Sequence, residues 1–205
     1  SGDPRSYRFE MTNAYTVNVP EGAQSMKAWF AMPQRDEASH KIEDFKFTDN
    51  CISALKLLQS AGYKLLVVTN QAGIGRGYYS ESDFQNLMNW LNAELAKHGV
   101  TITDIEFCPH HPTGANGIYK RNCECRKPNP GMFLNLIGKH SVDVSKSFMV
   151  GDKFSDLEAA EAAGIKQCIL VKSGHAFQPE NTPLRWQIFD NLYSFARKLN
   201  QDFLA

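Results

Sequence analysis

Residues 64–77 read K-L-L-V-V-T-N-Q-A-G-I-G-R-G. Leu65–Val68 is a continuous apolar run with no polar face, the pattern of a strand covered on both sides. A hydroxyl (Thr69), two amides (Asn70, Gln71) and a turn holding Gly73, Gly75 and Gly77 follow it directly. Before the run, Ile52, Leu55 and Leu58 mark one helix face, and Gly62 ends that helix. After it, Ser80 starts a second helix, with Asp83 spaced for an approximate capping box. Phe84, Leu87, Leu91 and Leu95 line its buried side, and Gly99 closes it.

The alternation continues downstream. Ile105–Phe107 is a short strand, and Met132–Ile137 begins a helix behind Pro130-Gly131. Ser147–Val150 is a strand, Leu157–Ala163 a small-residue helix ended by Gly164, and Gln167–Val171 a further strand. Leu192, Phe195, Ala196, Leu199 and Phe203 form a last helical stripe, with Asp190 as the expected N-cap. Strand–helix alternation predicts an α/β fold: a doubly wound, Rossmann-like parallel sheet with helices on both faces. Chemistry in such sheets sits beyond the carboxyl ends of the strands. Two of those ends carry polar groups, Thr69-Asn70-Gln71 and Gly151-Asp152-Lys153.

Residues 1–39 follow another pattern. Tyr7, Phe9 and Met11, then Tyr15, Val17 and Val19, alternate as strands do; Pro20-Glu-Gly22 is a turn, and Lys27–Met32 reads as a short strand. The expectation is an atypical β-rich segment over 1–39 and an α/β domain over 40–205. At 205 residues the chain can bury a full core. Lysine plus arginine (22) equals aspartate plus glutamate (22), which argues against a general nucleic-acid or membrane-surface role. There is no run of membrane-spanning length and no signal-peptide pattern at the N-terminus. Five cysteines, with Cys51 and Cys168 in apolar segments, suit a reducing compartment, so a cytoplasmic location and, by default, a monomer are expected.

Two short cysteine motifs carry the densest chemistry: Cys108-Pro-His110-His111-Pro, and Cys123-Glu-Cys125-Arg126-Lys127-Pro-Asn-Pro-Gly131. Three thiols and an imidazole at C-x-H…C-x-C spacing are the inventory of a closed tetrahedral zinc site. Without function they are reduced cysteines near a surface histidine. Arg126 and Lys127 precede a rigid Pro-Asn-Pro-Gly segment and suit phosphate oxygens; a solvated pair is the alternative. Asp152 at a strand end suits Mg²⁺, whereas Asp156 is either a second such carboxylate or a helix cap. The glycine turn after Thr69 is a plausible phosphate cradle, and no Walker-type loop is present.

Taken in order, V-V-T-N-Q-A-G-I-G-R-G, C-P-H-H-P, C-E-C-R-K-P-N-P-G and V-G-D-K-F-S-D resemble the haloacid-dehalogenase (HAD) superfamily of aspartyl-phosphate phosphatases. Within it they resemble the zinc-containing branch of D-glycero-D-manno-heptose-1,7-bisphosphate 7-phosphatases and histidinol-phosphate phosphatases, over roughly residues 41–205. The resemblance implies that Thr69 and Lys127 hold the transferring phosphoryl group and that Asn70, Gln71 and Ala72 help to bind substrate. Arg126 would contribute to substrate recognition. Asp152, with Lys153 beside it, would serve magnesium and substrate. Cys108, His110, Cys123 and Cys125 would bind structural zinc, with His111 outside the ligand set. The implied partner is a phosphorylated sugar.

The superfamily's reaction also needs an Asp-x-Asp after the first strand, a nucleophile followed by an acid–base. Lys27-Ala-Trp-Phe-Ala-Met32 resembles that strand, but Met32 and Gln34 stand where the aspartates belong, and only a displaced Asp36 is near. Residues 1–39 instead resemble the opening hairpin of transglutaminase-like proteins, which suggests a composite chain joined near Ser39–Lys41. Three functions follow as expectations: a heptose-bisphosphate or histidinol-phosphate phosphatase, a non-catalytic zinc- and phosphate-binding protein, and, least consistent with the neutral charge, a zinc-knuckle nucleic-acid binder.

Overall fold

The computed structural model describes residues 10–11, 14–15, 27–30, 46–48, 50–173, 177 and 179–204. In chain order the elements are β1 (Glu10–Met11), β2 (Ala14–Tyr15), β3 (Lys27–Phe30), β4 (Lys46–Phe47), α1 (Cys51–Ser60), β5 (Lys64–Asn70), α2 (Ala72–Gly75) and α3 (Glu81–Ala96). They continue with β6 (Ile102–Cys108), α4 (Gly131–His140), β7 (Phe148–Gly151), α5 (Phe154–Ala162), β8 (Gln167–Val171), β9 (Gln187–Phe189) and α6 (Leu192–Leu204).

The main sheet runs β6-β5-β3-β7-β8-β9 with every neighbour parallel; β2 pairs antiparallel with β3, and β1 with β4 forms a separate ribbon. After β3 the chain builds outward through β5 and β6, then returns to the other side of β3 for β7, β8 and β9. That reversal is a topological switch point, where the crevice beyond the strand ends is widest. Thr69-Asn70 at the end of β5 and Gly151-Asp152 at the end of β7 both flank it.

Strict alternation divides the core into two layers. Leu65 and Val67, Phe148 and Val150, Ile169 and Val171 face α1, α3 and α6. Leu66 and Val68, Met149, Cys168 and Leu170 face the other way, onto Met132, Phe133 and Leu136 of α4 and Leu157, Ala159 and Ala160 of α5. Both sides are therefore apolar along one strand, which is why these strands read as unbroken hydrophobic runs. Ser80 caps α3 as expected: its Oγ accepts from the Asp83 N–H at 3.1 Å, and Asp83 Oδ2 accepts from the Ser80 N–H at 2.8 Å.

Some boundaries differ from expectation. β6 begins at Ile102 rather than Ile105; as the sheet's edge strand it tolerates the exposed Thr103 and, on the α4 side, Asp104, which meets Lys139 and His140. α5 begins at Phe154, which puts Asp156 inside the first turn. The α6 cap is Asn191: its Oδ1 accepts from the Ser194 N–H at 2.9 Å, while Asp190 is drawn to Lys172 at 2.7 Å. The short β9 was not foreseen. Lys27–Phe30 lies inside the sheet; Tyr7, Phe9, Val17, Val19, the 20–22 turn, Met32, Gln34, Asp36 and the 39–41 seam lie outside the described residues.

The segment before β9 is tied to α5 by one carboxylate. Glu161 accepts from Arg185 Nε at 2.5 Å and Nη2 at 2.7 Å, and from Trp186 Nε1 at 2.8 Å. Trp186 packs edge-on against Phe154, centroids 5.3 Å apart. The Arg185 hydrogen bonds hold the Glu161 carboxyl below its usual range.

Two outcomes follow from this packing. Phe133 is fully buried between sheet and α4, so Phe133→Ala should lower unfolding free energy by about 3–5 kcal/mol in urea denaturation. Because the folded-state pKa of Glu161 is depressed, its contribution is present above the unfolded carboxylate value of about 4.3 and fades as pH falls through the folded value. Acid titration of unfolding should therefore show a component that Glu161→Gln removes.

Candidate active site

β5 delivers Thr69 fully buried at the switch point, and the next residues turn at once. The Gln71 N–H donates to the Cys108 carbonyl at 2.7 Å, joining the end of β5 to the end of β6. α2 then carries Ala72 through Gly75, all buried. Gly75 has no room for a side chain: an added Cβ would lie 2.5 Å from the Pro109 carbonyl oxygen and 2.8 Å from Ala115. The cysteine-bearing loop rests directly on this turn, and the Asn116 N–H donates to the Gly75 carbonyl at 2.7 Å.

Lys127 is the centre of the site. Its Nζ lies 2.8 Å from Asp156 Oδ1, with side-chain exposures of 2% and 1%, and donates to the Val68 carbonyl at 3.0 Å. The Asn70 side chain fixes the Lys127 backbone at both ends: Oδ1 accepts from the Lys127 N–H at 3.0 Å, and Nδ2 donates to its carbonyl at 3.2 Å. Asp156 Oδ2 also accepts from the Lys153 N–H at 3.2 Å, so this residue is both a helix-end acceptor and an ion-pair partner. Gly151 makes room for it, since an added Cβ would lie 2.7 Å from the Asp156 Cβ. Asp152, one step beyond β7, is buried, and Lys153 is half-buried beside it.

Cys108 Sγ, His110 Nδ1, Cys123 Sγ and Cys125 Sγ all lie within 4.8 Å of one another. The neighbouring edges run from 2.9 Å (Cys108–Cys125) through 3.2 and 3.3 Å to 3.5 and 3.6 Å. A tetrahedral zinc ion with Zn–S of about 2.3 Å needs edges of roughly 3.6–3.8 Å, so the donor set fits with the Cys108–Cys125 edge opening by just under an ångström. Hydrogen bonding with Cys108, then with His110 and Cys123, pushes the Cys125 thiol down to about 5, towards the thiolate that binds metal. The same Cys108–Cys125 contact, together with burial, raises Cys108. Arg121 Nη2 lies 2.8 Å from His110 Nε2; metal on Nδ1 leaves a proton on Nε2, so this exposed arginine would turn aside.

His111 is turned away from the cluster, its Nδ1 accepting from the Gly114 N–H at 2.8 Å and the Thr113 N–H at 3.2 Å. Arg126 Nη1 donates to the His110 carbonyl at 3.1 Å, which ties it to the ligand loop. The Gly131 N–H donates to the Glu124 carbonyl at 2.7 Å, and the Glu124 oxygen would be 2.4 Å from a Cβ at Gly131. Thr69, Asn70, Lys127 and Asp156 are thus joined by hydrogen bonds or adjacency, with Arg126 next in the chain. Asp36 lies outside the described residues. The helix-cap reading of Asp156 is borne out, whereas its pairing with Lys127 and the role of Tyr79 were not legible in advance. Tyr79, in G-R-G-Y-Y after the glycine turn, donates its hydroxyl hydrogen to Gln71 Oε1. Among the described residues, no helix is long and apolar enough to cross a membrane.

Residues 124–190 match the family model described as HAD-hydrolase-like. The chain is 47% identical over 152 residues to D-glycero-alpha-D-manno-heptose-1,7-bisphosphate 7-phosphatase of Photorhabdus laumondii, covering 74% of this chain and 81% of that one. It is 48% identical over 142 residues to D-glycero-beta-D-manno-heptose-1,7-bisphosphate 7-phosphatase of Haemophilus ducreyi, covering 69% and 78%. Its fold is similar to that of the D,D-heptose 1,7-bisphosphate phosphatase from B. bronchiseptica, crystallised with magnesium and phosphate: TM-score 0.72 and 24% identity, covering 85% of this chain and 97% of that one.

If the four-donor cluster braces the loop, the purified protein should carry close to one zinc per chain by elemental analysis. Chelation, or Cys125→Ser, should lower the melting temperature and expose the loop between β6 and α4 to limited proteolysis; a metal-free protein equally resistant would contradict it.

Proposed function

The chain belongs to the HAD-like hydrolases of the D-glycero-D-manno-heptose-1,7-bisphosphate 7-phosphatase family, and on that premise we propose that it holds the 7-phosphate of such a bisphosphate in a magnesium-dependent phosphatase site. One observation carries the reading: the buried Lys127–Asp156 pair sits beside Thr69 at the switch point of the sheet. A buried cation aimed at a crevice is suited to the charge that spreads over phosphoryl oxygens during transfer. Relatives named for the alpha and the beta anomer match almost equally well, so the proposal leaves the anomer open. The heptose substrate is preferred over histidinol phosphate because it is the one these relatives are named for.

Thr69 would donate its hydroxyl hydrogen to a phosphoryl oxygen, with the backbone N–H groups of Ala72 and Gly73 at the start of α2 lining the same crevice; the Gln71 N–H is spent on the Cys108 carbonyl. Arg126, held by the His110 carbonyl, would meet the rest of the substrate. Asp152 fits magnesium, which takes one or two carboxylates together with phosphate oxygens. Lys153 would reach such an ion only through its carbonyl oxygen, since an ammonium has no lone pair. Magnesium there would offset phosphate charge; zinc on the four-donor cluster would brace the loop and take no part in chemistry.

The nucleophile is the exception. The family resemblance places an aspartate pair after the first strand, and the sequence there has Met32 and Gln34. A thioether and an amide supply neither an attacking carboxylate nor an acid–base group. The chain is therefore proposed to bind the bisphosphate and to hydrolyse it about four to six orders of magnitude more slowly than an intact site would. Calorimetric titration of the bisphosphate with Mg²⁺ should show saturable binding that Lys127→Ala abolishes, with phosphate release at background in the same samples. Turnover at an ordinary enzymatic rate would refute the silent reading and direct attention to Asp36; absence of any binding would refute the site.

A further inference from the structure

Gln71 is 2% exposed, and its side chain is spent inside the protein. Its Nε2 donates to Thr69 Oγ1 at 2.9 Å, and its Oε1 accepts the hydroxyl hydrogen of Tyr79. Three side chains thus form a line, Tyr79 to Gln71 to Thr69, that ends on the hydroxyl at the tip of β5. The line depends on Gly73: a Cβ there would lie 2.3 Å from Tyr79 Cε1, so the ring reaches Gln71 only because residue 73 has no side chain. The turn that returns Tyr79 to β5 is set by the Tyr78 N–H, which donates to the Gly73 carbonyl at 2.9 Å.

The direction of the line has chemical content. A carboxamide flipped about its terminal bond swaps a donor for an acceptor, and the two orientations place opposite demands on Thr69. A phenol is a good donor and a poor acceptor beside an amide carbonyl, so Tyr79 selects the orientation with Oε1 towards itself. The NH₂ group then faces Thr69 and can only donate. Thr69 Oγ1, having accepted, keeps its single hydrogen for another acceptor. In the reverse orientation Oε1 would take that hydrogen, and Thr69 would turn lone pairs towards the unprotonated oxygens of an incoming phosphate, which only accept.

We propose that Tyr79 is a positioning residue for phosphate binding, acting through Gln71 to keep the Thr69 hydroxyl as a donor. The proposal rests on the reading of Thr69 as a phosphate ligand, and it assigns Gln71 to orienting that ligand instead of touching substrate through its side chain. The donor is set before the anion arrives, so no hydrogen bond need be rearranged on binding.

The test uses the full chain with Mg²⁺ and inorganic phosphate, followed by ³¹P NMR titration, with melting temperature recorded for each variant. Tyr79→Phe removes one oxygen and keeps the ring; it should weaken phosphate binding about tenfold. In the Thr69→Val background, where there is no hydroxyl to orient, adding Tyr79→Phe should cost no further affinity. Unchanged affinity in Tyr79→Phe overturns the proposal. So does an equal loss in both backgrounds, or a lowered melting temperature with affinity intact, because each describes a Tyr79 that only packs. Failure of the unmodified chain to bind phosphate, or of Thr69→Val to weaken it, has its own signature: it overturns the phosphate-site reading first, and this inference with it.

Discussion

A lysine and an aspartate, both removed from water, meet at 2.8 Å beneath the carboxyl ends of the strands. Taking two charges out of water costs several kcal/mol per ion, and their attraction offsets that only if the remaining hydrogen-bonding capacity is filled. The surrounding structure fills it. Val68 supplies a carbonyl to Lys127 Nζ, Asn70 holds the Lys127 peptide from both sides, and Asp156 takes the Lys153 N–H. Gly151 is bare of a side chain where Asp156 needs space. Pieces of β5, β7 and α5 are thus committed to one ion pair, and a pair so costly to assemble is better understood as a means of aiming charge than as a source of stability.

The lysine reaches its position from the far side of a long excursion between β6 and α4. That excursion has little core of its own: Ala115 is buried, but Ile118, its largest aliphatic residue, is exposed. It is located at its roots, where Arg126 meets His110 and four donors converge, and at its middle, where Asn116 meets Gly75 and Tyr119 meets Glu81. Donor cluster, glycine turn and cation therefore form one mechanical unit. In the proposed site the cluster would set where Arg126 and Lys127 point without itself acting on a substrate.

The parts of this arrangement legible in the sequence are those specified locally. Gln167–Val171 is bounded at both ends as expected, its four residues from Cys168 to Val171 all buried between the two helix layers. The four metal-type donors are legible because each half-site is a short motif with its own spacing. The Lys127–Asp156 pair, the grip of Asn70 on a peptide 57 residues away and the Tyr79 line were not, since they depend on which strand ends become neighbours. Asp190 and Asn191 show the same limit at short range. Either side chain could cap α6, and only the position of Lys172 across the β8–β9 edge draws the aspartate away. The nucleophile question is of another kind: Met32 and Gln34 are unambiguous as residues, and their place lies outside the described ones.

The four-donor cluster also determines how this protein would wear under mutation. In a hydrophobic layer, shape is specified by many residues at once, so each substitution erodes it by a fraction and neighbours repack. In a ligand-stapled loop the same amount of conformational order is vested in four side chains and two glycines. The exposed positions between them, such as Pro112, Thr113, Lys120 and Asn122, are then open to drift, whereas Ala115 and Tyr119 are held against the Gly75 turn and a change at any one of the six removes the whole arrangement at a stroke. Sequence variation in such a loop should fall into two kinds only, the silent and the ruinous, with few of the graded effects that a packed core produces.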